Sequence, residues 1–200
     1  MILLSGGIGS GKSIVARILR LKGFGVFDCD YMSKLTMNND LAIQEKIKII
    51  AGEDVYINDV LDRKKLASMI FSDSEKRAKV NAVIHHEIKE IIKSWLKESP
   101  DNIFVETAIP VESGLIDLAE EVWYVEASEK VRIERTKARD HRTEDEIRRI
   151  MESQKKEKEG IEESKIPFSI ISNDPDDFLL EKIGTMIENR LTHINIKISN

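Results

Sequence analysis

Short apolar runs alternate with amphipathic stretches in the first part of the chain. Residues 2–4 form an apolar run that ends at a Ser-Gly-Gly turn. Residues 13–22 then carry apolar side chains at helical spacing, and after Gly23 a second apolar run begins at residues 26–27. This pattern predicts a strand, a glycine loop, a helix and a second strand. A strand–helix–strand unit of this kind implies a parallel sheet.

The stretch from residue 35 to residue 97 has a different pattern and contains no convincing strand. Ser72, followed by Glu75, predicts a capping box that opens a long helix towards Trp95. The apolar positions of this helix fit one buried stripe: Val80, Val83, Ile84, Ile88, Ile91 and Ile92. We therefore predict a helical insertion between two strands of the sheet.

Further apolar runs in the second half of the chain predict buried strands at residues 103–105, 122–125 and 168–171. Residues 178–191 have the pattern of a final amphipathic helix, and we assign no structure to residues 193–200. Strands that alternate with helices indicate an α/β fold with helices on both faces of a parallel sheet.

The segment 129–164, between the last two predicted strands, is the most charged part of the chain. We expect two helices here, joined near residues 140–142. Thr143 and Glu146 predict a capping box at the start of the second helix. The segment has too few apolar residues to be expected in the core.

Composition narrows the class of protein. The chain of 200 residues is 41% hydrophobic and 34% charged, which suits one folded domain and not a disordered chain. Its net charge of -5 argues against broad binding to nucleic acid or to anionic membranes. The single cysteine, Cys29, excludes an intrachain disulfide and favours a reducing compartment. Because the chain shows neither a signal-peptide pattern nor an apolar run of about 20 residues, we expect a cytoplasmic protein.

Residues 6–13, Gly-Gly-Ile-Gly-Ser-Gly-Lys-Ser, match the phosphate-binding pattern Gly-x-x-x-x-Gly-Lys-Ser/Thr in full. The glycines let the backbone point several N–H groups at phosphate oxygens, and the helix that follows adds its positive end. Lys12 can reach the β- and γ-phosphates of ATP, and the hydroxyl of Ser13 can hold Mg²⁺. The residues expected to contact the nucleotide are Gly7, Ile8, Gly9, Ser10, Gly11, Lys12, Ser13 and Ile14.

The phosphate loop predicts nucleotide binding but not a reaction, since kinases, switches and motors share it. A GTPase is disfavoured because the chain lacks the Asn-Lys-x-Asp pattern that reads guanine, which Asn173-Asp174 resembles only superficially. A motor would usually need a larger chain and a coupled partner. A kinase is the main hypothesis, and a nucleotide-dependent switch is the alternative from another class.

Carboxylates follow two of the predicted strands. Asp28 and Asp30 lie at the end of the second strand, and Glu106 ends the strand at residues 103–105. In an open parallel sheet these ends face the ligand crevice, where an acid can accept a proton from an attacking hydroxyl or order Mg²⁺. Aspartates are also common turn formers, so a purely structural role stays open for Asp28 and Asp30. For Glu106 the alternative is a charge at the N-terminal end of the turn that follows.

The charged segment is rich in arginine. Arg132, Arg135 and Arg139 are spaced three and four residues apart and share one helix face. A kinase needs cations that close over the phosphates and stabilise charge during transfer. A solvated helix with Glu–Arg pairs is the alternative for most of the arginines: Arg132, Arg135, Arg139, Arg142, Arg148 and Arg149.

The motifs, taken together in chain order, resemble the dephospho-CoA kinase family. Residues 5–13 are similar to that family's Thr-Gly-Gly-Ile-Gly-Ser-Gly-Lys-Ser, and residues 26–30 to its Val-Ile-Asp-Ala-Asp. Further similar positions extend to about residue 183: Leu61-Asp62-Arg63, Ile70-Phe71-Ser72-Asp73, His85, Glu106, Glu112-Ser113-Gly114-Leu115, residues 135–140, Gln154 and Asn173. The chain departs from the family at His86, where a proline is usual, and at Ala108-Ile109-Pro110, which replaces Pro-Leu-Leu.

The resemblance implies a P-loop NTPase three-layer sandwich with a parallel sheet, a helical substrate-binding insertion and a helical lid. The implied parts are a nucleotide-binding core of residues 1–29, 100–128 and 165–191, a coenzyme-binding insertion of residues 30–99, a lid of residues 129–164 and a tail of residues 192–200.

The resemblance also implies phosphoryl transfer from ATP, with Mg²⁺ on Ser13, to the ribose 3′-hydroxyl of dephospho-CoA, the last step of coenzyme A synthesis. Asp30 would be the base, and Lys12 and Arg139, with Arg135 next, would stabilise the developing charge. The residues expected at the acceptor are Asp30, His85, Glu106, Glu112 and Arg135, with Asn173 at the nucleotide. We expect no nucleic-acid or membrane partner, and a monomer or weak homo-oligomer. A kinase for another small metabolite is the alternative within the same class.

Overall fold

The computed structural model describes residues 1–71 and 73–198. Its strands, in chain order, are β1 (Ile2–Ser5), β2 (Gly25–Asp28), β3 (Tyr56–Ile57), β4 (Val60–Leu61), β5 (Asn102–Glu106), β6 (Glu121–Glu126) and β7 (Phe168–Ser172). Its helices are α1 (Lys12–Leu21), α2 (Cys29–Asn39), α3 (Leu41–Ala51), α4 (Arg63–Phe71), α5 (Ser74–Glu98), α6 (Glu129–Asp140), α7 (Glu144–Ser153), α8 (Lys155–Glu163) and α9 (Leu179–Ile198).

The main sheet is parallel throughout and has the strand order β2-β5-β1-β6-β7, which confirms the predicted parallel sheet. The central strand β1 is buried along its whole length. In a parallel sheet the carboxyl ends of all strands lie along one edge, and ligands bind in the crevice outside that edge. The phosphate loop after β1 and Glu106 at the end of β5 therefore meet at the same edge.

Helices cover both faces of this sheet, so the predicted three-layer architecture is confirmed. Alternate residues of a strand point to opposite faces. Ile2 and Leu4 pack with residues of α1 and α9, whereas Leu3 packs with residues of the insertion helices α3 and α5. Both faces of β1 are covered by helices, which explains why its sequence is a continuous apolar run and not an alternating one.

The stretch between β2 and β5 is mainly helical, as predicted, but the prediction that it contains no strand is wrong. β3 and β4 form an antiparallel hairpin. Its turn residues, Asn58 and Asp59, have φ values of 50° and 63°, the left-handed conformation that Asn and Asp tolerate in two-residue turns. Each strand has two residues, which is too short to produce an alternating pattern in the sequence.

The long helix of the insertion is α5, and its predicted buried stripe is confirmed at Val80, Ile84, Ile88 and Ile92. The predicted cap residue Ser72 lies outside the described residues. Asp73 caps the helix instead, because its side chain accepts hydrogen bonds from the backbone N–H groups of Glu75 and Lys76. An aspartate is as good an N-cap as a serine.

The charged segment 129–164 contains α6, α7 and α8, so the prediction of two helices is wrong in number. The junction near residues 140–142 and the capping box of Thr143 and Glu146 are confirmed. The expectation that the segment stays out of the core is wrong. Ile161 of α8 is fully buried in the core cluster beneath the insertion helices, and Ile133 of α6 and Ile147 of α7 are also buried. One well-placed isoleucine is enough to anchor a short helix that is otherwise charged.

The final helix α9 continues to Ile198 and so extends through most of the stretch predicted as a tail, residues 192–200. Among residues 1–71 and 73–198, none of the helices combines the length and the apolar character needed to cross a membrane.

Candidate active site

The phosphate loop joins β1 to α1 and is held in shape by glycines with left-handed backbone angles. Gly9 has φ 76° and Gly11 has φ 98°. A Cβ atom on Gly9 would clash with the backbone of Arg132, and one on Gly11 would clash with the side chain of Asn173. Glycine is therefore required at both positions for conformation and for space.

Side chains from distant parts of the chain fasten this loop. The backbone N–H of Ile8 donates to Oε1 of Gln154 at 2.7 Å, and the guanidinium Nε of Arg132 donates to the carbonyl of Ile8 at 2.8 Å. From behind the loop, the buried amide of Asn173 donates to the carbonyl of Ser10 at 2.8 Å. We predicted Asn173 as a nucleotide contact, and the structure places its amide on the loop.

A cavity of about 800 Å³ opens in front of the loop at the sheet edge. The predicted nucleotide residues line it, with the exception of Ser10 and Asn173, which are buried. The other residues that line the cavity include Asp28, Asp30, Glu106, Thr107, Arg135, Arg139, Arg142 and Gln154. The cavity thus collects the predicted cation, hydroxyl and carboxylate groups in one place.

Lys12 lies among carboxylates at the floor of this cavity. Its ammonium donates to the carbonyl of Gly6 at 2.6 Å. Burial lowers the pKa of Lys12, while the negative charges of Glu106 and Asp30 act in the opposite direction. A half-buried ammonium close to the phosphate loop is suited to bind a triphosphate.

The carboxylates have different surroundings. Asp28 caps α2, since its side chain accepts from the backbone N–H of Tyr31 at 2.9 Å. Glu106 faces Asp28 on the neighbouring strand, and burial, followed by the charge of Asp28, raises its pKa. Asp30 lies in the first turn of α2 and is exposed to the cavity. The cap at Asp28 supports the structural alternative for that residue, whereas Asp30 is placed to act on a ligand.

A second, more apolar cavity of about 220 Å³ adjoins the first. Asp30 and Thr107 line both cavities. His85 lines the second cavity, and burial lowers its pKa, so the imidazole is neutral near pH 7. Glu112 lies at the rim, exposed, and accepts a hydrogen bond at 3.0 Å from Asn81, which lines the second cavity.

A family model described as dephospho-CoA kinase matches residues 1–176. The chain belongs to the dephospho-CoA kinase family. A dephospho-CoA kinase of Porphyromonas gingivalis is 37% identical to it over 155 residues, which is 77% of each chain. The predicted P-loop kinase class is therefore confirmed.

Solved structures share the fold of this chain. A Thermus thermophilus protein of known structure is 27% identical, with a TM-score of 0.78 over 96% of each chain. A dephospho-CoA kinase of Campylobacter jejuni is 20% identical and has a TM-score of 0.66, covering 97% of this chain and 98% of that chain. At that identity the second comparison shows the shared fold alone.

The arginines of this family member are not equivalent. Arg139 makes a bidentate pair with Asp140, with distances of 2.7 and 2.8 Å. Arg135 lines the phosphate cavity, and its Nη1 is buried without a hydrogen-bond partner among the described residues. A buried, unpaired guanidinium nitrogen at the cavity wall fits an anion that enters the cavity. Arg135 is thus the better placed of the two to meet an anion, whereas the resemblance ranks Arg139 first.

Thr107 was missed from the sequence of this kinase-family chain. It follows Glu106 directly, and a residue just after a strand's carboxyl end lies at the ligand edge of a parallel sheet. Its position directly after the strand is the feature of the sequence that could have identified it. Arg132 and Gln154 belong to the predicted lid segment, and the side chains of both make hydrogen bonds to Ile8 of the phosphate loop.

Proposed function

We propose that this chain transfers the γ-phosphoryl group of ATP to the ribose 3′-hydroxyl of dephospho-CoA, which gives coenzyme A and ADP, the last step of coenzyme A synthesis. The observation that carries the proposal is the position of Asp30 and Thr107, which line both the phosphate cavity and the adjoining apolar cavity. Phosphoryl transfer needs donor and acceptor to meet at one point with a base beside it.

The phosphate cavity fits a triphosphate by its donors. The glycine loop supplies backbone N–H groups, Lys12 supplies an ammonium, and Arg135 supplies a guanidinium nitrogen without a partner in the described structure. These groups match the charge on the β- and γ-phosphates of ATP.

Oxygen donors in the same cavity fit Mg²⁺. The exposed hydroxyl of Ser13 would hold the ion, and the carboxylates of Asp28 and Glu106 line the same cavity. Within the described residues no group of three or more His, Cys, Asp or Glu side chains could hold a metal. Binding of Mg²⁺ would therefore depend on phosphate oxygens, and the ion would neutralise part of the phosphate charge.

Asp30 acts in this proposal as the base. It accepts the proton of the attacking hydroxyl while that oxygen bonds to the γ-phosphorus and the bond to the bridging oxygen of ADP breaks. Lys12 and Arg135 hold the phosphoryl oxygens as charge shifts towards ADP. Arg139 would contact the phosphoryl oxygens only after its ion pair with Asp140 breaks.

The apolar cavity would receive one end of the acceptor. Its volume of about 220 Å³ is below the roughly 300–1,000 Å³ of pockets that enclose whole ligands, so the rest of dephospho-CoA would extend beyond it. Neutral His85 and Asn81 are the polar groups of its α5 wall. Glu112 would act through Asn81 at the rim.

The test is the release of ADP from ATP and Mg²⁺ with and without dephospho-CoA. We expect a large acceptor-dependent rise, with coenzyme A formed in equal amount. A panel of nucleoside monophosphates and sugars serves as the control for acceptor identity. The proposal fails if an ATP-binding preparation shows no acceptor-dependent ADP, or prefers one of the control acceptors.

A further inference from the structure

The wall of the apolar cavity opposite α5 is a loop that follows β5. Thr107, Ile109 and Ser113 of this loop line the cavity. The loop is folded on itself, because the hydroxyl of Ser113 donates to the carbonyl of Ile109 at 2.6 Å and the backbone N–H of Gly114 donates to Val111 at 2.9 Å. We call residues 107–114 the acceptor loop.

Two neighbouring N–H groups of the acceptor loop point away from the cavity and towards α8. The backbone N–H of Val111 donates to Oε2 of Glu157 at 2.8 Å, and that of Glu112 donates to Oε1 at 3.0 Å. The half-buried carboxylate of Glu157 thus accepts hydrogen bonds from both N–H groups. Hydrogen bonds to a charged acceptor are stronger than those to a neutral one. Gly160 of α8 packs closely against Val111. A Cβ atom on Gly160 would lie 3.0 Å from each of the two methyl groups of Val111.

The same end of α8 is also fastened to the phosphate loop. Gln154, immediately before α8, accepts the hydrogen bond from Ile8, and Glu157 follows three residues later. The far end of α8 is anchored by Ile161, which is fully buried. The first turn of α8 is therefore a fixed connection between the loop that would hold the donor and the loop that would hold the acceptor.

We infer that Glu157 is a positioning residue for phosphoryl transfer. It holds the acceptor loop at a fixed position relative to the phosphate loop. The inference rests on the proposed function, since it assumes that the acceptor enters the apolar cavity. Glu157 does not line either of the two cavities, so it acts through the acceptor loop and not on substrate. Small displacements of a reacting group matter, because a shift of about 1 Å can cost about 100-fold in rate.

The experiment compares three purified variants: Glu157→Ala, Glu157→Gln and, as the matched control, Glu163→Ala. Glu163 is an exposed acid on the same helix, so its removal makes the same change in charge. For Glu157→Ala we expect kcat/KM for dephospho-CoA to fall by about 10- to 100-fold. The KM for ATP should stay within about twofold, because Gln154 still holds Ile8. Glu157→Gln keeps one acceptor oxygen and should be intermediate, and Glu163→Ala should resemble the native chain.

Several results would overturn the inference. One is a lower melting temperature for Glu157→Ala with unchanged kinetics at a temperature where it is folded, which would make the residue merely structural. An equal rise in both KM values, or no advantage of Gln over Ala, would also contradict it. If Glu157→Ala does not fold, the isosteric Glu157→Gln carries the test alone.

A second measurement separates this inference from the proposed function. Hydrogen exchange at the amides of Val111 and Glu112 reports on the Glu157 contact whatever the acceptor is. We expect faster exchange there in Glu157→Ala than in Glu163→Ala, and unchanged exchange would overturn the inference. Absence of transfer to dephospho-CoA by the native chain, with the exchange effect present, would instead count against the proposed function.

Discussion

The cavity that would hold the triphosphate is lined on one side by residues of the phosphate loop and otherwise by strand-end carboxylates and arginines of α6. The adjoining cavity is walled by side chains from α2, α4, α5 and the loop after β5. The first depends on backbone angles at glycines, and the second on how separate helices pack. The phosphate loop of the donor side is therefore a local property of the sequence, while the acceptor side is a property of the tertiary structure. Mutations should separate the two sides.

The largest effect is expected from Lys12→Ala, which removes the ammonium at the floor of the donor cavity. We expect turnover to fall by about 10³-fold, since an electrostatic contact to the transferred group is lost. The fold should persist, because Lys12 is half-buried and its ammonium bonds only to the carbonyl of Gly6 among the hydrogen bonds of the described chain. The measurements are steady-state turnover and thermal melting. Loss of a cooperative melt would show that Lys12 is structural and would weaken the comparison.

The next effect comes from the arginines of α6. Arg135→Ala should lower turnover by about 100-fold, and Arg139→Ala by less than about tenfold, because Arg139 is already paired with Asp140. Turnover of both variants at saturating ATP and acceptor checks this order. The reverse order would show that Arg139 leaves Asp140 during transfer, as the order implied by the resemblance requires.

The smallest effect is expected from a substitution of Glu106, which ends β5 and lines the phosphate cavity. Burial raises its pKa, so the ionised carboxylate is disfavoured in the folded state. Above its folded pKa this charge costs stability, and the cost is relieved as the pH falls through that pKa. Glu106→Gln should therefore melt at a higher temperature than the native chain near pH 7, and the difference should shrink towards acid pH. Its turnover should fall by no more than about tenfold. A lower melting temperature at neutral pH would contradict this reading.

The same contrast explains how much of the molecule could be predicted from its sequence. The phosphate loop, the parallel sheet and the buried stripe of α5 were predictable because each depends on residues close together in the chain. The hairpin at Asn58-Asp59 was missed because two-residue strands have no detectable period. The position of Asp30 at the ligand edge of the sheet was predictable, but its position between two cavities was not.

The contacts of α8 and the residue before it with distant loops could not be predicted. Gln154 meets Ile8 across 146 residues, and Glu157 meets Val111 across 46. Both lie in a segment where acids and amides are abundant, and nothing in the local pattern separates a residue that binds a loop from one that faces water. The helix α8 itself was unforeseen, since its only fully buried anchor is Ile161.

The central claim is that Asp30 acts as the base where the two sides meet, and Asp30→Asn tests it most directly. The matched control is Asp28→Asn, since asparagine preserves the cap of α2. ATP affinity and acceptor-dependent turnover should be measured for both variants. We predict that Asp30→Asn binds ATP as the native chain does and loses about 100-fold or more in turnover, while Asp28→Asn loses much less. Near-normal turnover of Asp30→Asn would contradict the account.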